Sequence, residues 1–288
     1  MRFRLRTKQF KLEPVNVVFE AKQLKELVFV GLGLNDENGI SIRGLEETKD
    51  ADSAFMEVYT SLLPEFSLKN FENLSRKKIH MLSRRNLEEE NGKVVLDAAE
   101  KGKTVLLVPG DPFVATTHVA LRIEAEKRGI KTRIIHGASV ISAVIGLSGL
   151  HNYKFGKTVT IPFPENSSET PYNVISQNKK LGLHTLCLLD LKTEEQRFLN
   201  IREGLEQLLA IERKKKEKVI MLDTFAVGVA RVGGANPSLK ADTVEKLLKF
   251  DFGGPPQSLI LPGELHFMEV EALISFARAP EKLRSVVR

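Results

Sequence analysis

One cysteine, Cys187, in 288 residues excludes an intrachain disulfide framework and a cysteine-built metal site. It sits in the apolar run LHTLCLLDL, where a small core residue is expected rather than a nucleophile. A reducing, cytoplasmic setting fits. No apolar run approaches the roughly 20 residues that a membrane span needs. The basic leader MRFRLRTKQFKLEPVN has no apolar h-region, so it does not read as a secretory signal. Motifs for chemistry are also sparse. His118, His136, His151 and His266 never fall at metal-ligand spacing, and each is expected to be a hydrogen-bonded structural histidine. There is no GxSxG elbow, no P-loop and no carboxylate pair spaced for hydrolysis. No metal is expected.

Hydrophobic residues make up 42% and charged residues 28%, a globular profile long enough for one large domain or two of ordinary size. The net charge of +6 is unevenly spread: residues 1–27 hold seven Lys or Arg against three Glu. The rest of the chain is therefore close to neutral. A second basic cluster, Arg213 to Lys218, reads as a solvated helix end that complements the helix dipole. No direct nucleic-acid contact is expected.

Residues 1–24 read as a basic extension outside the fold. From Leu27 the pattern becomes regular: strand ELVFVGLG, strand DSAFMEVYTS, strand KKIHMLS, and helix NGKVVLDAAEKG capped at Gly102. Then come strand TVLLVPG, helix HVALRIEAEKRG closed by Gly129, strand KTRIIHG and helix ASVISAVIGLSG. Strands alternating with helices predict a largely parallel sheet with helices on both faces. Periodicity resets in GLHNYKFGK, which places a boundary there, with an N-terminal α/β domain over 25–153 and a C-terminal one over 154–288. The second half reads as strand KTVTIPF, helix YNVISQNKKLG, strand LHTLCLLDL, a long charged helix within LNIREGLEQLLAIERKKKEK, and strands VIMLDTFAV and VARVG. Helix TVEKLLK, strand QSLILPG and helix MEVEALISFARA follow.

The stretch TVLLVPGDPFVATTH carries the most information. An apolar run stops at Pro109-Gly110-Asp111-Pro112. Proline fixes φ and glycine allows φ > 0, so one carboxylate is held on a constrained turn. In open α/β sheets ligands sit at the carboxyl ends of strands, which puts Asp111 at the mouth of a binding site; the alternative is an ordinary strand-to-helix turn with Asp111 as its N-cap. Gly31-Leu32-Gly33-Leu34 lacks the third glycine of a dinucleotide fingerprint and runs into Asp36 and Glu37, so a pyrophosphate is not expected there. It offers close backbone approach to a ligand without net negative charge. Binding turns without a nucleophile or metal suit a reaction built on proximity and orientation, such as methyl transfer from a sulfonium donor.

Taken in order, FVGLGLNDENGIS (29–41), YTS (59–61), SR (83–84), PGDPFVATTHVALRIEA (109–125), IHGASVISAVIGLSGLHNYKFGK (135–157), GLHTLCLLDLK (182–192), ARVGG (230–234) and DFGGPPQSLILPGELHFMEVE (251–271) resemble the diphthine synthases of the tetrapyrrole (class III) methyltransferase superfamily. GLHNYKFGK and ARVGG separate that family from the cobalt-precorrin and sirohaem enzymes. The resemblance implies two α/β domains of the tetrapyrrole methylase type with S-adenosyl-L-methionine in the cleft between them. It implies N-methylation of the 3-amino-3-carboxypropyl group on a modified histidine of translation elongation factor 2, three times, giving diphthine. A homodimer is implied as well. The matched cofactor positions are Leu34, Asp111, Val114, Ser139, Val140, Leu189, Val232 and Gln257. Family members often carry His where this chain has Gln257. Asp111 is expected to orient the cofactor; His118 and His151 are the histidines to test as proton acceptors. A class III enzyme acting on a tetrapyrrole or on RNA, or a non-catalytic S-adenosylmethionine-binding module, are the alternatives.

Overall fold

The structure is a computed structural model that describes residues 25–286; the extension over 1–24 lies outside the described residues. Strand β1 (Glu26–Gly31) is buried along its whole length, and its alternation explains why. Leu27 and Phe29 pack with Leu106, Val108, Val95 and Leu121 on one side. Val28 and Val30 pack with Val105, Leu107 and Phe71 on the other. A strand covered on both faces needs an unbroken apolar run. With β2 (Ser53–Glu57), β3 (His80–Leu82), β4 (Lys103–Val108) and β5 (Lys131–Ile135) it forms a parallel sheet in the order β3-β2-β4-β1-β5. Among its helices, α3 (Lys93–Ala99) and α4 (Val119–Lys127) cover one face. Helices α1 (Ile42–Asp50) and α2 (Leu68–Ser75) belong to the same half, and α2 covers the other face through Phe71.

Helix α5 (Val140–Ser148) leads into the second half, and its Val144 packs in the layer of Leu186, Val227, Val229 and Ile260. That half continues with β6 (Val159–Ile161), α6 (Thr170–Lys180), β7 (Thr185–Leu189), the short hairpin β8 (Leu191–Lys192) and β9 (Arg197–Phe198), and α7 (Ile201–Lys215). It ends with β10 (Phe225–Ala230), β11 (Ser238–Thr243), α8 (Val244–Leu247), β12 (Gln257–Leu261) and α9 (Phe267–Ala277). The second sheet runs β11-β10-β12-β7-β6, and only β6 and β7 pair in parallel. Helix α7 starts on a capping box of Asn200 and Glu203 and carries Arg213, Lys214 and Lys215 in its last turn, as a dipole-complementing end should. No helix among the described residues is long and apolar enough to cross a membrane.

Several elements differ from the sequence reading. Helices α1 and α2, strand β11 and the β8–β9 hairpin were not expected, because IRGLEETKD, LKNFENLS and SLKADT are mostly polar. VIMLDTFAV and VARVG give one strand, β10, shared between them. The Glu212 carboxylate accepts the Lys218, Val219 and Ile220 amides (2.7–3.0 Å), which holds the apolar stretch after α7 out of the ladder. Burial pushes that carboxyl up, but those amides and the Tyr172 hydroxyl outweigh it and hold it at about 2. Helix α3 stops at Ala99, and Gly102 is not its cap. A Cβ at Gly102 would strike the Asp52 carboxylate, which accepts from the Lys103 amide at 2.8 Å.

Candidate cofactor site

Three glycines meet where β1, β4 and β5 end. A Cβ on Gly31 would sit 2.5 Å from both the Gly110 carbonyl oxygen and the Gly137 nitrogen. Gly33 and Gly110 form an antiparallel bridge, with the Gly110 amide donating to Gly33 at 2.8 Å and the Gly33 amide returning at 3.2 Å. Gly110 has φ +72°, which a side chain would oppose. Because β4 and β5 flank β1, the residues following them meet across the tip of β1. Asp111 Oδ2 thus lies 2.7 Å from His136 Nδ1, while Asp111 Oδ1 accepts from the Phe113 amide at 3.0 Å. Asp111 is 7% exposed, whereas His136 stands largely in solvent.

These tips open into a cavity of about 670 Å³, within the range of small-molecule sites. Leu34, Asp111, Val114, Ser139, Val140, Leu189, Val232 and Gln257 all line it. Leu34 is pressed against Gly233, where a Cβ would overlap its own, so ARVGG owes a glycine to this contact. Ser139 caps α5 through the Ile141 amide. Gln257 uses both ends of its side chain on the protein: Oε1 accepts from the Ile201 amide at 2.9 Å and Nε2 donates to the Gly253 carbonyl at 2.7 Å. Both ends of the Gln257 amide are thus engaged by the protein, which fixes its orientation at the cavity wall. Asp36 and Glu37 serve local structure, Asp36 through the Asn38 amide and Glu37 through the Ser67 amide and the Asn70 side chain.

The charged residues lining the cavity are Arg84, Glu88, Asp111 and Asp190. Three carboxylates against one guanidinium suit a cationic ligand. The turn after β2 adds a buried polar group. The Glu57 carboxylate accepts the Tyr59 and Thr60 amides at 2.9 and 3.1 Å and the Thr60 hydroxyl. Burial pushes its carboxyl up, against the hydrogen bonds of Thr60 and the nearby His118. Pairing those amides also ends β2 at Glu57, short of the expected strand. The sequence gives no role to Glu57, Tyr59, Arg84 or Glu88, and reads His136 only as a structural histidine. The matched strings YTS (59–61), SR (83–84) and the one over 135–157 contain Tyr59, Arg84 and His136.

Neither His118 nor His151 is among the lining residues. His118 is 2% exposed and bonds the Pro112 carbonyl through Nδ1 at 3.0 Å. A carbonyl only accepts, so Nδ1 carries the proton, and the ring fixes the GDP turn from behind. His151 bonds the Tyr153 hydroxyl at 2.9 Å and belongs to a cluster around Glu269. Both act on the fold, which corrects their candidacy as proton acceptors. Cys187 is fully buried, and burial pushes its thiol up, away from nucleophilic use. Among the described residues no group of three or more His, Cys, Asp or Glu could hold a metal.

Residues 26–246 match the family model described as Tetrapyrrole (Corrin/Porphyrin) Methylases. A diphthine synthase of Methanosarcina acetivorans is 46% identical over 264 residues, 89% of this chain and 98% of that protein. One of Methanocaldococcus jannaschii is 47% identical over 251 residues, 86% of this chain and 97% of that protein. A crystal structure of a diphthine synthase superposes with a TM-score of 0.82 at 45% identity, covering 91% of this chain and 99% of that one.

Proposed function

Since the chain belongs to the tetrapyrrole (corrin/porphyrin) methylases and, within them, to the diphthine synthases, we propose that it methylates the amino group of the 3-amino-3-carboxypropyl-histidine of translation elongation factor 2. Three rounds give diphthine in diphthamide biosynthesis. The observation that carries this reading is the cavity itself: all eight matched cofactor positions line it, from six separate segments of the chain, at 34, 111–114, 139–140, 189, 232 and 257. In this reading the N-terminal domain (25–153) and the C-terminal domain (154–288) hold the cofactor between them. The enzyme works in the cytoplasm, where its protein substrate is. A homodimer is part of the reading, supported by Phe267, Met268 and Phe276, which expose 54–60% of their surface along α9.

S-adenosylmethionine supplies a methyl group on a sulfonium, which passes to an amine lone pair as the S–C bond breaks and its electron pair stays on sulfur. The chain's residues bind and orient. Leu34, Val140, Leu189 and Val232 offer apolar walls, and the excess of carboxylates favours the sulfonium charge. An α-amino group has a reference pKa of about 7.7–8.0, so part of it is neutral near pH 7 without a dedicated base. Its proton leaves to water before each further round. The third methyl leaves a quaternary ammonium with no lone pair, which ends the sequence. A polycarboxylate tetrapyrrole would meet a lining that already carries an excess of negative charge.

Transfer of labelled methyl from S-adenosylmethionine tests the reading, with elongation factor 2 carrying the intermediate and a tetrapyrrole acid as rival acceptors. Label on the protein is expected; label on the tetrapyrrole alone contradicts it. Asp111→Ala removes a carboxylate whose hydrogen bonds shape the turn. It should weaken S-adenosylmethionine binding about 10- to 100-fold, as loss of a charged hydrogen-bonding group does, with the melting temperature lowered by only a few degrees. Wild-type affinity by calorimetry would remove Asp111 from the site.

A further inference from the structure

Arg84 is the only cation among the described residues that line the cavity. Its guanidinium lies over the Tyr59 ring, 5.3 Å from the centroid. Its nearest carboxylate, Glu88, is 3.9 Å from Nε, too far for a hydrogen bond. The backbone amide of Arg84 donates to Glu194 at 3.1 Å. That residue lies between β8 and β9, so the segment is tied to the opposite half of the molecule while the guanidinium fork stays open. Tyr59 beneath it is 2% exposed and also lines the cavity. Its hydroxyl is sealed from solvent beside Thr117 with no hydrogen bond completed. Burial first, then the carboxylates of Glu57 and Glu88, push that hydroxyl up, so it keeps its proton and remains a donor.

The guanidinium fork is thus open to the cavity and stacked on a ring whose own hydroxyl is closed off from it. A guanidinium matches a carboxylate with two parallel N–H···O bonds. The rest of the lining repels anions, so an anionic group entering the cavity has one place to go. We propose that Arg84, held over the Tyr59 ring, is a carboxylate subsite that takes the carboxylate of an α-amino-acid-like acceptor. This rests on the function proposed above, whose acceptor carries a carboxylate on the carbon that bears the reacting amine. With each carboxylate oxygen accepting a guanidinium N–H, the oxygens are poorer nucleophiles and the neighbouring amine is the group held to attack. The subsite thus selects nitrogen over oxygen.

The test compares wild type, Arg84→Gln, Arg84→Lys and Tyr59→Phe on elongation factor 2 carrying the aminocarboxypropyl-histidine. Calorimetric titration with S-adenosylmethionine and a thermal melt are run on each variant. Arg84→Gln should raise KM for the protein acceptor about 10- to 100-fold, the loss of hydrogen bonds to a charged group. S-adenosylmethionine affinity and melting temperature should stay near wild type. Arg84→Lys should recover part of the loss by keeping the charge without the fork, and Tyr59→Phe should raise KM less than Arg84→Gln. An unchanged KM in Arg84→Gln overturns the subsite. So does a fall in S-adenosylmethionine affinity that matches the rise in KM, which would assign Arg84 to the donor's own carboxylate. Wild type that binds S-adenosylmethionine but leaves this acceptor unmethylated overturns the functional reading itself, a failure seen before any variant is made.

Discussion

Glu269→Ala should destabilise the protein by about 3–5 kcal/mol, the cost of leaving buried charge without its partner. Glu269 is fully buried, yet it receives four donors: the His184 ring at 2.9 Å, the Lys154 ammonium at 2.8 Å, and the His151 and His266 amides at 2.8 Å each. These come from GLHNYKFGK, from the start of β7 and from the first turn of α9, so one carboxylate joins three segments. His184 accepts the Gly263 amide through Nδ1 at 3.0 Å. Its proton is therefore on Nε2, facing Glu269. Burial pushes the Glu269 carboxyl up, but the His184 ring, the His266 amide, Lys154 and the His151 amide outweigh it and hold it far below the usual range.

The sign of the pH dependence follows. A carboxyl depressed in the folded state stabilises fully above its unfolded value of 4.5 and loses that contribution as pH falls below it. Glu269→Gln keeps the shape but sets an amide among donors, and it should flatten this part of the acid limb as well as lower stability. Urea unfolding at pH 7 and melting temperatures between pH 3 and 7 check both. A Glu269→Ala protein as stable as wild type would show that the cluster contributes nothing net.

Gly137→Ala should cost about 100-fold in S-adenosylmethionine affinity, the scale on which a misplacement of about 1 Å acts. Its Cβ would strike the Gly110 carbonyl oxygen and lie 2.9 Å from the Gly31 backbone. Backbone has no rotamer with which to yield, so the tips of β1, β4 and β5 must splay. Those tips carry Leu34, Asp111 and Ser139 into the cavity. Gly146→Ala is the matched control. It lies in α5, and a Cβ there meets nothing within 4 Å. That change should leave binding alone and add up to about 1 kcal/mol of helix stability. Equal affinities for the two variants would dissolve the link between glycine packing and the site.

The sequence discloses what is local. TVLLV and ELVFV read as strands because both faces of the first sheet are covered, leaving unbroken apolar runs. The turn at Pro109 to Pro112 reads as a ligand-facing corner from its residue types alone. Helices α1 and α2 escaped notice because each buries little: Gly44 and Thr48 in one, Phe71 and Ser75 in the other. Strand β11 escaped because it is an edge strand, half-buried over Ser238 to Lys240. The cofactor positions are legible only through resemblance, since Leu34 and Val232 line one cavity only after two separate halves are assembled. The pairing of Asp111 with His136 depends on strand order, which no local pattern encodes. Arg84 over Tyr59 joins residues 25 positions apart in sequence, and an open donor is visible only once its surroundings are built.

The most direct measurement is the intact mass of elongation factor 2 bearing the aminocarboxypropyl-histidine after incubation with this protein and S-adenosylmethionine. A gain of three methyl groups and no more is the predicted result. No gain, with S-adenosylmethionine binding demonstrated in the same preparation, would contradict the account.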